Sequence, residues 1–142
     1  MSELVLLFVD DNEDDAFACR RALQKARLSC RLHHLGNGQE AMDYLSGAGP
    51  YANREQYPMP VAVISDLHLP RVSGFELLAW IREQEKFQSL PVIIHSGSVY
   101  PGDKPRACQL GASHFVEKAP SCVDLLEVLN PLLARAESKK AA

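Results

Sequence analysis

The sequence lacks a hydrophobic run long enough to cross a membrane, which takes about 20 apolar residues. The stretch Leu4–Val9 has six apolar residues, is too short for a signal peptide, and runs directly into Asp10 and Asp11. We therefore expect a cytoplasmic protein that makes no contact with the membrane.

The sequence also lacks an excess of basic residues and any clustered cysteines. Fifteen Lys and Arg against 18 Asp and Glu give a formal net charge of −3. This charge does not indicate a nucleic-acid-binding surface. The four cysteines include no Cys-x-x-Cys pair, and we expect free thiols packed as small apolar residues. His33 and His34 are neighbours on a predicted strand, so they face opposite sides, which argues against a two-histidine metal site.

Short apolar runs alternate along the chain with segments whose apolar residues recur at helical spacing. The runs predict five strands: Leu4–Val9, Cys30–Leu35, Val61–Ile64, Pro91–Ile94 and Ser113–Val116. A predicted helix follows each strand, and Gly47–Pro60 is predicted to be a long loop because of its Gly and Pro content.

Strict alternation of five strands and five helices favours an α/β fold, a doubly wound parallel sheet with helices on both faces. The length of 142 residues suits one domain. We assign residues 1–136 to that domain and residues 137–142 to a tail, and we expect no attached output module.

Polar side chains follow four of the predicted strands. The first strand runs into Asp10 and Asp11, the third leads to Asp66, the fourth to Ser96 and the fifth to Lys118. Ligands of an open parallel sheet bind outside the carboxyl ends of its strands. These side chains are therefore expected to meet at one edge of the sheet.

The charges of these groups predict a divalent cation. Three carboxylates and one lysine sum to −2, and the carboxylates would raise one another's pKa unless a cation compensates. Carboxylate oxygens and water are the ligands that Mg²⁺ prefers. With the metal bound, one carboxylate could attack phosphorus and form an acyl phosphate, while Lys118 and Ser96 meet the phosphoryl oxygens.

Four motifs carry a family resemblance: Val9-Asp10-Asp11-Asn12, Asp66-Leu67-His68-Leu69-Pro70 with Ser73-Gly74, His95-Ser96-Gly97, and Gly111-Ala112-Ser113 with Lys118. In this order they resemble the receiver domains of bacterial two-component response regulators, and the resemblance covers nearly the whole chain. It implies the flavodoxin-like, chemotaxis-regulator fold with strand order 2-1-3-4-5.

The resemblance also implies roles for individual residues. Asp66 would be the phosphoacceptor, and Asp11, Asp66 and the backbone carbonyl of His68 would bind Mg²⁺, with Asp10 acting through water. Ser96 would turn its hydroxyl toward the phosphoryl group, and Lys118 would be its fixed cation. The donor would be a sensor histidine kinase or a phosphotransfer protein, and the signal would leave through contacts with a downstream protein.

A narrower resemblance links the chain to the stand-alone receivers that partner bacterial phytochrome kinases. It rests on the Tyr44-Leu45-Ser46-Gly47 region and on Gly49-Pro50-Tyr51-Ala52 in the long loop.

The sequence departs from the receiver pattern after Lys118. Receivers normally have proline there, preceded by a cis peptide bond, whereas this chain reads Lys118-Ala119-Pro120. A cis bond before alanine costs about 2.5–4 kcal/mol, so the position of Lys118 depends on how this loop is built. Phe115 stands at the aromatic switch position, where it either moves between buried and exposed states or simply fills the core.

Three functions fit these residues. The first is a phosphorylated signalling module that accepts the phosphoryl group by its own chemistry and is not a turnover enzyme. The second is a degenerate receiver that binds partners without phosphorylation, and the third is a Mg²⁺-dependent phosphohydrolase. The third ranks last because His68 stands where such enzymes commonly carry a second Asp.

The last helix predicts a homodimer. Its apolar residues exceed one buried stripe, and an exposed apolar patch commonly marks an interface. They are Leu125, Leu126, Val128, Leu129, Leu132 and Leu133.

Overall fold

The computed structural model describes residues 3–97 and 100–141 of the chain. Its strands are β1 (Val5–Val9), β2 (Arg31–Leu35), β3 (Ala62–Ser65), β4 (Val92–Ser96) and β5 (His114–Glu117). Its helices are α1 (Glu13–Lys25), α2 (Gly38–Ser46), α3 (Gly74–Glu83), α4 (Asp103–Gln109) and α5 (Val123–Ala141). Two short 3-10 helices lie at Gly49–Ala52 and Glu85–Phe87.

The five strands form one parallel sheet in the order β2-β1-β3-β4-β5. The fold predicted from the sequence, including this strand order, is confirmed. Because all strands run the same way, β1, β3, β4 and β5 deliver the residues that follow them to the same edge of the sheet.

The alternation of side chains along each strand gives the protein two hydrophobic layers. Leu7 and Val9 of β1 face the layer covered by α2, α3 and α4, whereas Leu6 and Phe8 face the layer covered by α1 and α5. All five residues of β1 are buried. This explains why β1 reads as an unbroken apolar run in the sequence.

The apolar residues of α5 pack largely on the core. Leu125, Leu129 and Leu133 are buried, and the other three apolar residues of the predicted patch are partly buried against the same layer. The helix continues to Ala141, so residues 137–141 of the assigned tail are helical, and Ala142 lies outside the described residues. Among the described residues, no helix combines the length and the hydropathy of a membrane span.

The long loop after α2 is held by specific side chains. The Arg54 guanidinium donates hydrogen bonds to the carbonyl oxygens of Tyr44 (2.7 Å), Leu45 (2.9 Å) and Tyr57 (3.2 Å). The Tyr44 hydroxyl donates to the Pro58 carbonyl oxygen at 2.8 Å. These bonds fasten the predicted loop to the carboxyl end of α2.

A second arginine ties α3 to the turn before β5. The Arg82 guanidinium donates hydrogen bonds to the carbonyl oxygens of Gly111 (2.9 Å), Phe87 (3.0 Å) and Leu90 (2.8 Å). Gly111 has a φ of 102°, a conformation that favours glycine. Its missing side chain also leaves room for Arg82, because a Cβ would lie 2.9 Å from Arg82 Cγ.

Candidate functional site

The carboxylates that the sequence predicted to converge do meet at the carboxyl edge of the sheet. Val9 of β1 is aligned with Ser65 of β3, and Asp10 and Asp66 are the next residues of their strands. The Asp66 amide donates a hydrogen bond to the Val9 carbonyl oxygen at 3.0 Å. Asp10 and Asp66 are both buried, whereas Asp11 is exposed.

The loop after β3 fixes the Asp66 carboxylate. Its Oδ1 atom accepts hydrogen bonds from the amides of Leu67 (2.6 Å) and His68 (3.4 Å). The Leu67 carbonyl oxygen accepts a bond from the Gly74 amide at 2.9 Å, which brings the start of α3 against the loop. A Cβ on Gly74 would overlap the Asp66 carbonyl oxygen. Any side chain at this position would therefore force the Asp66–Leu67 backbone to shift.

The Lys118 ammonium lies among three carboxylates. It donates hydrogen bonds to Asp66 Oδ2 at 2.8 Å and Asp15 Oδ2 at 2.7 Å, and its Nζ lies 2.9 Å from Asp10 Oδ2. Burial opposes the charged form of Lys118, but these carboxylates outweigh burial and raise its pKa above the ordinary value. The described chain contains no cis peptide bond, so Lys118 reaches Asp66 with a trans bond before Ala119.

Asp15 is the residue of this site that sequence reasoning missed. It lies in the first turn of α1 together with Glu13 and Asp14, where acidic residues are common because they suit the positive end of a helix dipole. Nothing in the sequence separates Asp15 from these two neighbours. The structure does, because Glu13 and Asp14 are exposed while Asp15 is partly buried against Lys118.

Carboxylate oxygens of Asp10, Asp11 and Asp66 lie within 4.8 Å of one another, which fits one metal ion. Asp10 Oδ1 accepts a hydrogen bond from the Asn12 amide at 2.9 Å. Asp10 Oδ2 is buried, and it forms an ion pair with the Lys118 ammonium 2.9 Å away. Burial raises the pKa of Asp10, against the opposing influence of Lys118. Three clustered carboxylates beside one ammonium leave a net negative charge, which a bound metal ion would balance.

The two remaining predicted residues are at the same edge. Ser96 ends β4 and is fully buried, and its carbonyl oxygen accepts a hydrogen bond from the Lys118 amide at 2.9 Å. The His68 side chain is 59% exposed, with Nε2 3.8 Å from Asp103 Oδ2 at the start of α4. The His68 side chain therefore points toward α4. Ser96 and Lys118 are linked by their backbone hydrogen bond.

A cavity of about 260 Å³ lies beside Lys118 on the side of α1 and α5. Asp15, His95 and Cys122 are among the residues that line it. His95 is 3% exposed, and neither ring nitrogen has a hydrogen-bond partner in the described structure. Burial lowers the pKa of His95 to about 4, which keeps the imidazole neutral near pH 7. Asp15 is therefore the charged partner of Lys118 on this wall.

The sequence pattern of the response regulator receiver domain matches residues 6–130, which is most of the chain. The chain belongs to this family. The receiver is 30% identical over 142 residues to the response regulator Rre1 of Synechocystis sp., and it spans 57% of the length of that protein.

Solved structures resemble the receiver over nearly its whole length. The bacteriophytochrome response regulator AtBRR is 30% identical, with a TM-score of 0.78 over 93% of this chain and 94% of the other. The Mn(2+)-bound form of response regulator Rcp1 is 26% identical, with a TM-score of 0.77 over 91% of both chains. The predicted family of two-component response regulators is thus confirmed, including its likeness to those of phytochromes.

Proposed function

We propose that the receiver accepts a phosphoryl group on Asp66 in a Mg²⁺-dependent reaction and passes the signal on through protein contacts. One observation carries the proposal: Lys118 Nζ lies 2.8 Å from Asp66 Oδ2, beside three carboxylates that fit one metal ion. Phosphoryl transfer depends mainly on positioning the reactants and neutralising the transferring oxygens. This arrangement supplies an oriented nucleophile and a fixed cation.

The reaction would exchange one bond to phosphorus for another. An Asp66 oxygen attacks the phosphorus of a phosphohistidine on a sensor histidine kinase or a phosphotransfer protein. The P–N bond breaks as the P–O bond forms, and the released imidazole takes up a proton. Water later attacks the phosphorus of the acyl phosphate, which breaks the P–O bond to Asp66, releases inorganic phosphate and restores the carboxylate. The protein would thus act as a phosphoacceptor and not as a turnover enzyme.

The metal would be held by Asp11, Asp66 and the His68 backbone carbonyl, with Asp10 acting through water. A bound Mg²⁺ would neutralise charge that develops on the phosphoryl oxygens. Ser96 would turn its hydroxyl toward the phosphoryl group, as its place at the end of β4 beside Lys118 suggests. The solved structure of Rcp1 is of a Mn(2+)-bound form, which supports divalent-cation binding by a similar receiver.

The partners follow from the same comparison. We propose a phytochrome-type histidine kinase as the donor, because AtBRR is a bacteriophytochrome response regulator. Kinase, receiver and downstream protein would then meet in the cytoplasm. Phe115, half-buried against the layer of α2, α3 and α4, would change its exposure on phosphorylation.

We also propose a homodimer through α5, which needs a test at an exposed position of that helix. Leu133 is only 4% exposed, so an acidic substitution there would damage the core. Val123 is 51% exposed at the start of α5 and offers a surface position. Sedimentation of the wild type and Val123→Glu, with and without phosphorylation, tests the dimer. A wild type that stays monomeric in both states at high concentration contradicts it.

The central experiment is incubation with acetyl phosphate and Mg²⁺ followed by intact-mass measurement. The wild type should gain one phosphoryl group, and Asp66→Asn should gain none. Asp124→Asn removes an exposed carboxylate at the start of α5 and serves as the matched control. Phosphorylation of Asp66→Asn would refute Asp66 as the acceptor, and an unmodified wild type would favour a degenerate receiver.

A further inference from the structure

The ion pair between Asp15 and Lys118 joins α1 to the residue that follows β5. It is the shortest of the three carboxylate contacts of Lys118, at 2.7 Å, and it has hydrogen-bond geometry. Asp15 is not among the acids whose oxygens converge as a metal site. The two other partners of Lys118, Asp10 and Asp66, both belong to that cluster.

This difference matters if the receiver works as proposed, and the inference rests on that function. A metal ion at Asp10 and Asp66 would repel the ammonium and weaken both of those contacts, because like charges at a few ångströms repel strongly where water is partly excluded. Phosphorylation would then convert the Asp66 carboxylate into an acyl phosphate. Asp15 takes part in neither event.

We infer that Asp15 is a positioning residue that holds the Lys118 ammonium in place when metal and phosphoryl group occupy its other partners. The cavity of about 260 Å³ beside Lys118 gives a long flexible side chain space to move away from Asp66. His95 lines the same cavity, but an imidazole carries no negative charge and cannot replace Asp15 as an anion. An ion pair across this wall keeps the ammonium directed at the acceptor.

Asp15→Asn tests the inference, because the amide keeps the shape of the side chain and removes its charge. Asp14→Asn is the matched control, since Asp14 is the preceding residue of the same helical turn and is exposed. The first measurement is the ¹⁵N signal of the Lys118 ammonium in the Mg²⁺-loaded protein, which is seen only when its protons are protected by hydrogen bonds. The signal should persist in the wild type and in Asp14→Asn and should disappear in Asp15→Asn.

The second measurement is a double-mutant cycle on the rate of phosphorylation by acetyl phosphate at saturating Mg²⁺ and donor. Asp15→Asn should slow the reaction about tenfold, a size ordinary for partners within one ion-pair network. It should have no effect in a Lys118→Ala background, whereas a merely structural role would add to the effect of Lys118→Ala. Urea unfolding of each variant confirms that it is folded.

The outcomes separate this inference from the proposed function. A wild type that accepts no phosphoryl group contradicts the function, whatever the ammonium signal shows. If the wild type is phosphorylated and Asp15→Asn matches Asp14→Asn in both measurements, Asp15 has no positioning role and the inference is overturned. Equal slowing with and without Lys118 overturns it as well.

Discussion

Gly74→Ala should destabilise the receiver and disturb the acceptor loop, although alanine favours helices. Gly74 is the first residue of α3. A Cβ there would overlap the Asp66 carbonyl oxygen and lie 2.7 Å from Leu67 Cα and 2.9 Å from the Asp66 carbonyl carbon. All three are backbone atoms, so no side chain can rotate away to make room. The Asp66–Leu67 segment itself must shift.

Two opposing effects set the magnitude. Replacing glycine by alanine restricts the unfolded chain and stabilises a compatible site by about 0.4–1 kcal/mol. Inserting a methyl group into a packed site costs about 1–3 kcal/mol, and overlap with fixed backbone belongs at the upper end. The net loss in the free energy of unfolding should be about 2 kcal/mol, which lowers the melting temperature of a domain of this size by about 4–8 °C.

Urea unfolding followed by circular dichroism measures the loss, and intact mass after incubation with acetyl phosphate and Mg²⁺ measures the effect on the acceptor. Gly36→Ala is the matched control, because a Cβ on Gly36 would meet no atom within 4 Å. It should be neutral or slightly stabilising and should leave phosphorylation unchanged. A Gly74→Ala protein as stable as Gly36→Ala would refute the steric argument.

Three further predictions follow from other contacts. Arg82→Lys should lower the free energy of unfolding by about 1–3 kcal/mol, because a single ammonium cannot satisfy the separated carbonyl groups that the guanidinium bridges. Urea unfolding measures this loss, and the control Arg21→Lys, whose side chain is exposed, should show none. Burial lowers the pKa of His95 from 6.5 to about 4, so the unfolded state takes up a proton at a higher pH than the folded state does. The free energy of unfolding should therefore fall as the pH drops from 6.5 toward 4, by on the order of 3 kcal/mol in all. Urea midpoints of His95→Phe should vary less over that range, and a slope equal to the wild type would remove His95 as the cause. Titration calorimetry should detect Mg²⁺ binding in the wild type and in Asp14→Asn and lose it in Asp11→Asn, and equal affinities would place the metal elsewhere.

The sequence by itself determined the fold and most of the candidate site. Strands buried on both faces have to be apolar throughout, so β1, β3 and β4 stand out as short unbroken runs, while the edge strands β2 and β5 read as more polar. Parallel strands end at a common edge, so the residues that follow β1, β3 and β5 had to meet. Local sequence patterns and one rule of sheet topology were enough to predict that Asp10, Asp66 and Lys118 lie close together.

The tertiary structure alone decided what the side chains of α1 and α5 contact. Asp15 and Lys118 are 103 positions apart in the sequence, and their ion pair depends on how the first turn of α1 sits against the end of β5. The sequence does not distinguish three consecutive acids at the start of a helix, and only packing shows which of them is directed inward. The six apolar residues of the patch predicted on α5 were likewise ambiguous, because a helix can bury a wide apolar surface or present part of it to a partner. Such choices depend on the shape of the neighbouring layer, which no short stretch of sequence encodes.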